Sequence, residues 1–374
     1  MSSKLDPYLK LMADKGASDV FFTTGAPVSI KIEGRIHPIN KQDMLKPGDV
    51  QELANDIMSP EQRATFAKEM EMNLAVALAN VGRFRVNIFR QRGEAAMVIR
   101  YIKTDIPTLE QLNLPPVMNR LITSKRGLVL MVGSTGSGKS TSLAAMIDYR
   151  NDTMSGHILT IEDPIEFIYK HKKSLVNQRE IGLDSLSYHN ALREAMREAP
   201  DMILIGEIRD RATMEYAIAY AETGHLCVST LHANNANQAL DRIINFFPTD
   251  AHNQLLMDLS LNLKALVSQR LMPREQGRGR VAAVEILLNT PLIADMIFKG
   301  EVGEMKELMK RSRELGMQTF DQALFDLYES NLVTYEDILR NADSVNDLRL
   351  QVKLHSQRAR NADLAAGTEH LTIV

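Results

Sequence analysis

The segment MVGSTGSGKSTSL, residues 131–143, decides how most of this chain folds. It begins as an apolar strand signal, breaks into small residues at Gly133, and passes through Gly138, Lys139 and Ser140 into a helical pattern. It therefore matches G-x-x-x-x-G-K-[ST] between a strand and a helix, where backbone N–H groups and the helix N-terminus can hold phosphate oxygens. The segment predicts a loop that binds a nucleoside triphosphate. A Gly/Ser-rich turn that happens to carry a lysine is the alternative.

The residues of this loop have distinct expected roles. Lys139 would reach the β- and γ-phosphates of ATP, and Ser140 would ligate Mg²⁺ beside them. The predicted ATP-binding residues are Gly133, Ser134, Thr135, Gly136, Ser137, Gly138, Lys139, Ser140 and Thr141.

The region around this loop alternates between strand and helix patterns, which predicts a mostly parallel sheet. Four apolar runs, GLVLMVG, HILTIED, MILIGE and LCVSTL, each lead into a polar loop. Ligands of such sheets bind beyond the carboxyl ends of the strands. Glu162, Glu207 and His232 fall at those ends, so we expect them beside the phosphate loop.

Hydrolysis of a bound triphosphate needs a carboxylate that orients water, a metal anchor and positive charge. Glu162 and Glu207 are the candidate carboxylates, and a solvated strand end is the alternative for each. His232 lies in a polar loop, where a sensor contact to the terminal phosphate competes with an ordinary surface position. His225 precedes its strand, so we expect a structural role for it.

The first hundred residues have a different pattern, typical of a small α+β domain. In GRFRVNIFRQRG, residues 82–93, Arg83 and Arg85 alternate with apolar residues and share the other face of a strand. They are either solvated edge charges or a source of positive charge for the transition state. We predict an N-terminal domain over 1–103, a linker over 104–117, an ATPase core over 118–290, a helical subdomain over 291–354 and a disordered tail over 355–374.

Composition limits the classes of function. The 374 residues carry a net charge of −3, and the pI is near 6.3, which argues against a nucleic-acid partner. Cys227 is the one cysteine, which excludes an internal disulfide and a cysteine-based structural zinc site. No apolar stretch is long enough to span a bilayer, and the first residues lack a secretory pattern. These features predict a cytoplasmic protein.

Four segments together resemble the type II/type IV secretion ATPase superfamily: GSTGSGKST, ILTIEDPIEF, ILIGEIRD and STLHANNA match its Walker A, Asp-box, Walker B and His-box elements. Residues 82–93 and ELGMQTFDQALFDLYESNLVTYEDIL, residues 314–339, resemble its pilus retraction branch, the PilT/PilU group. The resemblance covers roughly residues 5–354.

The resemblance implies an α/β protein with a PAS-like N-terminal domain, a RecA-like P-loop ATPase domain and a helical C-terminal region. It further implies a hexameric ring that binds ATP and Mg²⁺ between the domains and drives pilus retraction in twitching motility, peripheral at the inner membrane, with an inner-membrane platform protein as partner. Glu162 then matches the catalytic glutamate, Glu207 the Walker B glutamate and metal ligand, and His232 the distal His-box residue. Arg85 and Arg100 match arginines that meet the phosphates.

Departures from the family pattern indicate a particular branch. The four-cysteine zinc module of assembly ATPases is absent, which favours retraction. LIADMIFKGE, residues 292–301, has Ala294 and Phe298 where the better-known retraction ATPases have arginines, and Ser134 replaces a proline. These departures resemble the accessory PilU branch, which implies a second retraction ATPase as partner. A nucleotide-dependent regulatory or structural subunit remains an alternative, and the acidic balance disfavours a RecA-like nucleic-acid translocase.

Overall fold

The computed structural model describes residues 3–32, 34–102, 104–277 and 279–361, and these form two compact units. The N-terminal unit runs up to Asp105 and includes Asp163–Tyr169 and Glu180–Leu186. The second unit contains Ile106–Glu162, Lys170–Arg179 and the chain from Ser187 onward. The sequence predicts a contiguous core over 118–290, whereas the structure assigns two short segments of that range to the N-terminal unit.

Glu180 contacts both the other short segment and a strand of the N-terminal unit. Its carboxylate accepts a hydrogen bond from the Ile165 backbone N–H at 3.4 Å and lies 3.9 Å from Nε of Arg85. Contacts of this kind join residues that are far apart in the chain, so no local sequence pattern predicts them.

The N-terminal unit is a six-stranded antiparallel sheet with strand order β3-β2-β1-β6-β5-β4. Its elements are α1 (Asp6–Lys15), β1 (Asp19–Thr23), β2 (Ser29–Ile32), β3 (Arg35–Pro38), α2 (Asp49–Ile57), α3 (Pro60–Glu69), β4 (Glu71–Leu78), β5 (Gly82–Gln91) and β6 (Glu94–Ile102). The sequence predicts helix from Pro47 to about Met70, with a cap signature at Ser59–Gln62. The structure confirms this cap, because Ser59 and Gln62 form a capping box that begins a new helix and so divides the stretch into α2 and α3. The sequence also predicts a hairpin at Glu33-Gly34. β2 and β3 on either side of it pair antiparallel, and Glu33 itself lies outside the described residues.

Strand β5 has the predicted two-residue alternation. Phe84, Val86 and Ile88 are fully buried in the core of this unit, so Arg85 points to the opposite face. Arg85 pairs in register with Arg100 of β6.

The second unit is an α/β structure with a seven-stranded mixed sheet in the order β13-β12-β7-β11-β10-β8-β9. Its strands are β7 (Gly127–Val132), β8 (Gly156–Glu162), β9 (Ser174–Glu180), β10 (Met202–Ile205), β11 (Leu226–Leu231), β12 (Leu263–Pro273) and β13 (Arg280–Leu288). Its helices are α4 (Val117–Ile122), α5 (Lys139–Thr153), α6 (Tyr188–Ala195), α7 (Arg211–Glu222), α8 (Ala236–Asn245), α9 (His252–Asn262), α10 (Pro291–Lys299), α11 (Met305–Arg311), α12 (Phe320–Glu329), α13 (Tyr335–Asn341), α14 (Val345–His355) and α15 (Gln357–Asn361).

Four neighbouring strands of this sheet, β7, β11, β10 and β8, are parallel. In register, Leu231 pairs with Val132, and Ile205 pairs with both Ser229 and Ile161. Their carboxyl ends therefore lie along one edge, as the sequence predicts.

Helices follow β13 to the end of the described chain. Met272 and Val281 of the sheet share a buried cluster with Phe320, Leu324 and other residues of these helices. The tail predicted to be disordered from residue 355 includes the last residue of α14 and all of α15, where Arg358 donates to the carboxylate of Glu275 at 2.6 Å. Residues 362–374 of that tail lie outside the described residues. Among the helices that the structure describes, none is both long and apolar enough to cross a membrane.

Candidate active site

The phosphate loop connects β7 to α5 and depends on its glycines. Gly138 has φ +87°, a left-handed conformation that favours glycine, and it caps the N-terminus of α5. A Cβ atom at Gly138 would lie 2.7 Å from Nε2 of Gln269, and one at Gly133 would lie 2.4 Å from Oγ of Ser137. A side chain at Gly138 would thus clash with Gln269, and one at Gly133 would clash with Ser137.

Lys139 begins α5, and its ammonium group lies inside the loop. Nζ donates to the carbonyl oxygens of Gly133 at 2.6 Å and Ser134 at 2.9 Å, and the residue is 8% exposed. Ser140 follows in the first helical turn. The loop thus combines backbone N–H groups, a helix N-terminus and a buried cation, which together attract a phosphate chain.

Glu162 is the last residue of β8, and its carboxylate is held in place. Oε1 accepts a hydrogen bond from Oγ1 of Thr160 at 2.7 Å and one from Nε2 of Gln178 at 3.4 Å. Glu162 is buried and Thr160 is fully buried. Neither Thr160 nor Gln178 is among the residues predicted from the sequence. A threonine inside the apolar run HILTIED is the one signal for Thr160, and Gln178 has no local signal.

Gly206 allows β8 and β10 to approach closely at the same edge. A Cβ atom there would lie 3.2 Å from Cα of Glu162 and 2.9 Å from the hydroxyl of Tyr188. The Gly206 N–H donates to the carbonyl of Ile161 at 2.8 Å, which extends the pairing of the strands. Glu207, the next residue, is therefore presented directly beside the end of β8.

Glu207 and His232 are in contact. His232 Nε2 lies 3.1 Å from Oε1 of Glu207, and Arg209 Nε donates to Oε2 of the same carboxylate at 2.8 Å. Burial lowers the pKa of His232, and the charge of Lys139 lowers it further, while Glu207 opposes both effects. His232 therefore favours its neutral form near the phosphate loop.

Arg85 and Arg100 belong to the N-terminal unit. Arg100 Nε donates to Oδ1 of the buried Asp19 at 2.8 Å, and the Arg100 side chain is 66% exposed. Arg85 is less exposed and lies near Glu180, whose pKa is raised by burial and lowered in part by Arg85. Both guanidinium groups lie on the face of β5 and β6 that is opposite the hydrophobic core of this unit.

The second unit thus brings together most of the predicted site residues. The phosphate loop, Glu162, Glu207 and His232 meet at one sheet edge, while Arg85 and Arg100 share a face of a separate unit. The buried lysine and the loop N–H groups can hold a phosphate chain, and the fixed carboxylate of Glu162 can orient a water molecule against it.

Comparison with known proteins places this geometry in a family. The model of the Type II/IV secretion system protein family matches residues 2–289. The chain belongs to this family.

Individual relatives point to one part of the family. The type IV pilus ATPase PilU of Pseudomonas aeruginosa is 56% identical over 354 residues, which is 95% of this chain and 92% of the relative. The type IV pilus retraction ATPase PilT of the same organism is 42% identical over 89% of this chain and 96% of the relative. The crystal structure of the pilus retraction motor PilT with bound ADP has a TM-score of 0.86 and 41% identity, covering 94% of this chain and 100% of that chain.

Proposed function

We propose that this protein is an ATP-hydrolysing motor that drives type IV pilus retraction in twitching motility. One observation carries the proposal: Lys139, Glu162 and Glu207 all lie at the carboxyl ends of parallel strands in one sheet. A phosphate chain bound by the loop there would have two carboxylates on the same side of the sheet. The cellular process, pilus retraction, is inferred from the similarity to PilU and PilT, which are named as type IV pilus ATPases.

Each site residue then has a chemical role. Lys139 and the loop from Gly133 to Thr141 hold the phosphates of ATP, and Glu162 orients and activates the attacking water. His232 contacts the terminal phosphate as a neutral hydrogen-bonding group.

Mg²⁺ would be held by the Ser140 hydroxyl and by Glu207. Both are oxygen donors of the kind that this ion prefers, and the Glu207 carboxylate has acceptor sites beyond those used by Arg209 and His232. The ion would neutralise charge that develops on the phosphates.

We propose a PAS-like fold for residues 1–103 and a RecA-like core for residues 118–290, assembled into a homohexameric ring. Arg85 and Arg100 would supply positive charge to the transition state, so that hydrolysis depends on where the N-terminal unit is. A motor requires this dependence, because each chemical step must be tied to movement.

The protein would act as an accessory ATPase at the cytoplasmic face of the inner membrane, with a second retraction ATPase and a platform protein as partners. The similarity to PilU and the altered α10 support this role. Phe298, which stands where other retraction ATPases have an arginine, is 56% exposed and is available to a partner.

Purified protein tests the enzymatic part of the proposal. We expect ATP-dependent release of phosphate that Lys139→Ala and Glu207→Ala reduce to background. Phosphate release that is unchanged in both variants would overturn the proposed site.

Cells test the motor. Glu162→Ala at normal protein levels should abolish the contribution of this protein to pilus retraction, and the wild-type protein should co-purify with a second retraction ATPase. Normal retraction in Glu162→Ala cells would instead favour the alternative that the protein is a nucleotide-dependent regulatory subunit.

A further inference from the structure

Gln269 is a polar residue in the middle of the buried strand β12, beside the phosphate loop. It is 2% exposed, and its neighbours Val267 and Leu266 are fully buried. A buried amide must be hydrogen-bonded or its burial costs free energy, so its partners indicate what it does.

Both ends of the Gln269 amide are bonded to the phosphate loop and its helix. Nε2 donates to the carbonyl oxygen of Ser137 at 2.8 Å, and Oε1 accepts from the hydroxyl of Ser142 at 2.8 Å. The Ser137 carbonyl, which can only accept, fixes which way the amide points, because a flipped amide would place its oxygen against the oxygen of Ser137. The Ser142 hydroxyl holds the other end of the amide.

The glycines of the loop are shaped around this residue. A Cβ atom at Gly138 would lie 2.7 Å from Nε2 of Gln269, and one at Gly133 would lie 2.8 Å from the Gln269 carbonyl oxygen. The two glycines that define the phosphate-binding motif are thus also the places where β12 reaches the loop.

The consequence for the ligand follows from the planarity of the peptide bond. The Ser137 carbonyl and the Gly138 N–H belong to one rigid plane and point in opposite directions. When Gln269 draws the carbonyl towards β12, the Gly138 N–H is turned away from β12 and towards the interior of the loop. This N–H is one of the groups that a phosphate-binding loop uses.

We propose that Gln269 is a positioning residue for nucleotide binding, which orients the Ser137–Gly138 peptide so that the loop is preorganised for phosphate. The inference rests on the proposed function of the loop. Preorganisation raises affinity because the loop need not be ordered when the ligand binds.

The test is the Kd for ADP, measured by isothermal titration calorimetry on the full-length protein. Gln269→Leu keeps the size of the side chain but leaves the buried Ser137 carbonyl unpaired, so we expect Kd to rise about tenfold or more. Ser142→Ala removes only the hydrogen bond that holds the Oε1 end of the amide, and we expect a rise of about threefold. The double variant should bind ADP no more weakly than Gln269→Leu, because the two residues act through one peptide.

Asn151 provides a matched control on the same helix, α5. It is fully buried, donates to the carbonyl of Lys170 at 2.7 Å and accepts from the Lys172 N–H at 3.2 Å. Asn151→Leu should lower the thermal unfolding midpoint and leave the Kd for ADP unchanged, which separates lost stability from lost preorganisation.

The outcomes are distinct. If the wild-type protein binds ADP and Gln269→Leu binds it equally well, the positioning role is wrong while the proposed function stands. If Gln269→Leu does not fold, unchanged affinity in Ser142→Ala overturns the positioning role. If the wild-type protein itself binds no ADP, the proposed function fails.

Discussion

The Thr160 hydroxyl donates a hydrogen bond to the Glu162 carboxylate, with 2.7 Å between the two oxygens. The residues are two positions apart in β8, so their side chains lie on the same face of the strand. Both are buried, and a buried hydrogen bond to a carboxylate holds it in one orientation more firmly than an exposed bond would. Thr160 thus helps to fix the position of the proposed general base.

Replacing Thr160 by valine should lower ATPase turnover without weakening nucleotide binding. Valine has the shape of threonine but cannot donate, so the Glu162 carboxylate loses its orientation, and we expect kcat to fall about tenfold. Steady-state kinetics together with Kd for ADP measure the two effects. Thr160→Ser retains the hydroxyl and is the control. A loss of affinity equal to the loss of turnover in Thr160→Val would contradict the positioning of Glu162.

The contact between Glu207 and His232 makes a prediction about protonation. Glu207 raises the pKa of His232 against the effect of burial, so Glu207→Ala should lower the His232 pKa. Arg209 lowers the same pKa, so Arg209→Ala should raise it. NMR titration of the His232 ring proton, assigned with His232→Gln, measures both shifts. Shifts of the same sign in the two variants would show that the charges do not act through this contact.

Arg85 and Arg100 should affect turnover more than affinity. If their guanidinium groups act on the transition state, Arg85→Ala and Arg100→Ala should each lower kcat by about 10³ and change Kd for ATP little. Arg35 lies exposed on β3 at the edge of the same sheet, so Arg35→Ala is the control. Equal losses of kcat and affinity would assign Arg85 or Arg100 to binding or folding instead.

Glu285 should make the free energy of unfolding depend on pH. It is 2% exposed, accepts hydrogen bonds from the Ala236 N–H and the Ser268 hydroxyl, and its pKa is raised by burial above the ordinary 4.5. As pH rises above 4.5 the unfolded chain loses this proton first, so the folded state binds more protons and is progressively destabilised. Glu285→Gln keeps an acceptor oxygen and removes the titration.

We therefore expect the unfolding free energy of Glu285→Gln relative to the wild type to increase from pH 4.5 upward. Urea denaturation at several pH values measures this difference. A difference that is constant across the range, or that decreases with pH, would show that Glu285 is not held in its protonated form by burial.

Local patterns in the sequence were sufficient to predict several structural features. Each of these patterns lies in consecutive residues: the loop from Gly133 to Ser140, the apolar runs of the parallel strands and the alternation in β5. The structure has the elements that they predict. The α/β character and the placement of Glu162 and Glu207 at strand ends follow from the same patterns, because periodicity and turn residues act over a few positions.

Contacts between residues far apart in the chain could not be predicted from the sequence. The cap signature at Ser59–Gln62 lies in consecutive residues, and the structure confirms it. Glu180, in contrast, contacts the Ile165 N–H and Arg85 of β5, and a carboxylate that contacts a distant strand leaves no local signal.

The order of residues along the chain was enough to predict which of them bind phosphate, activate water and supply charge. The neighbours that hold those residues follow from the folded sheet: Gln269 is 127 positions from Ser142, and it reaches the loop because β12 lies beside β7. Pairing of distant strands is a property of the folded chain, so the partners of a buried amide or carboxylate become visible only when that pairing is known.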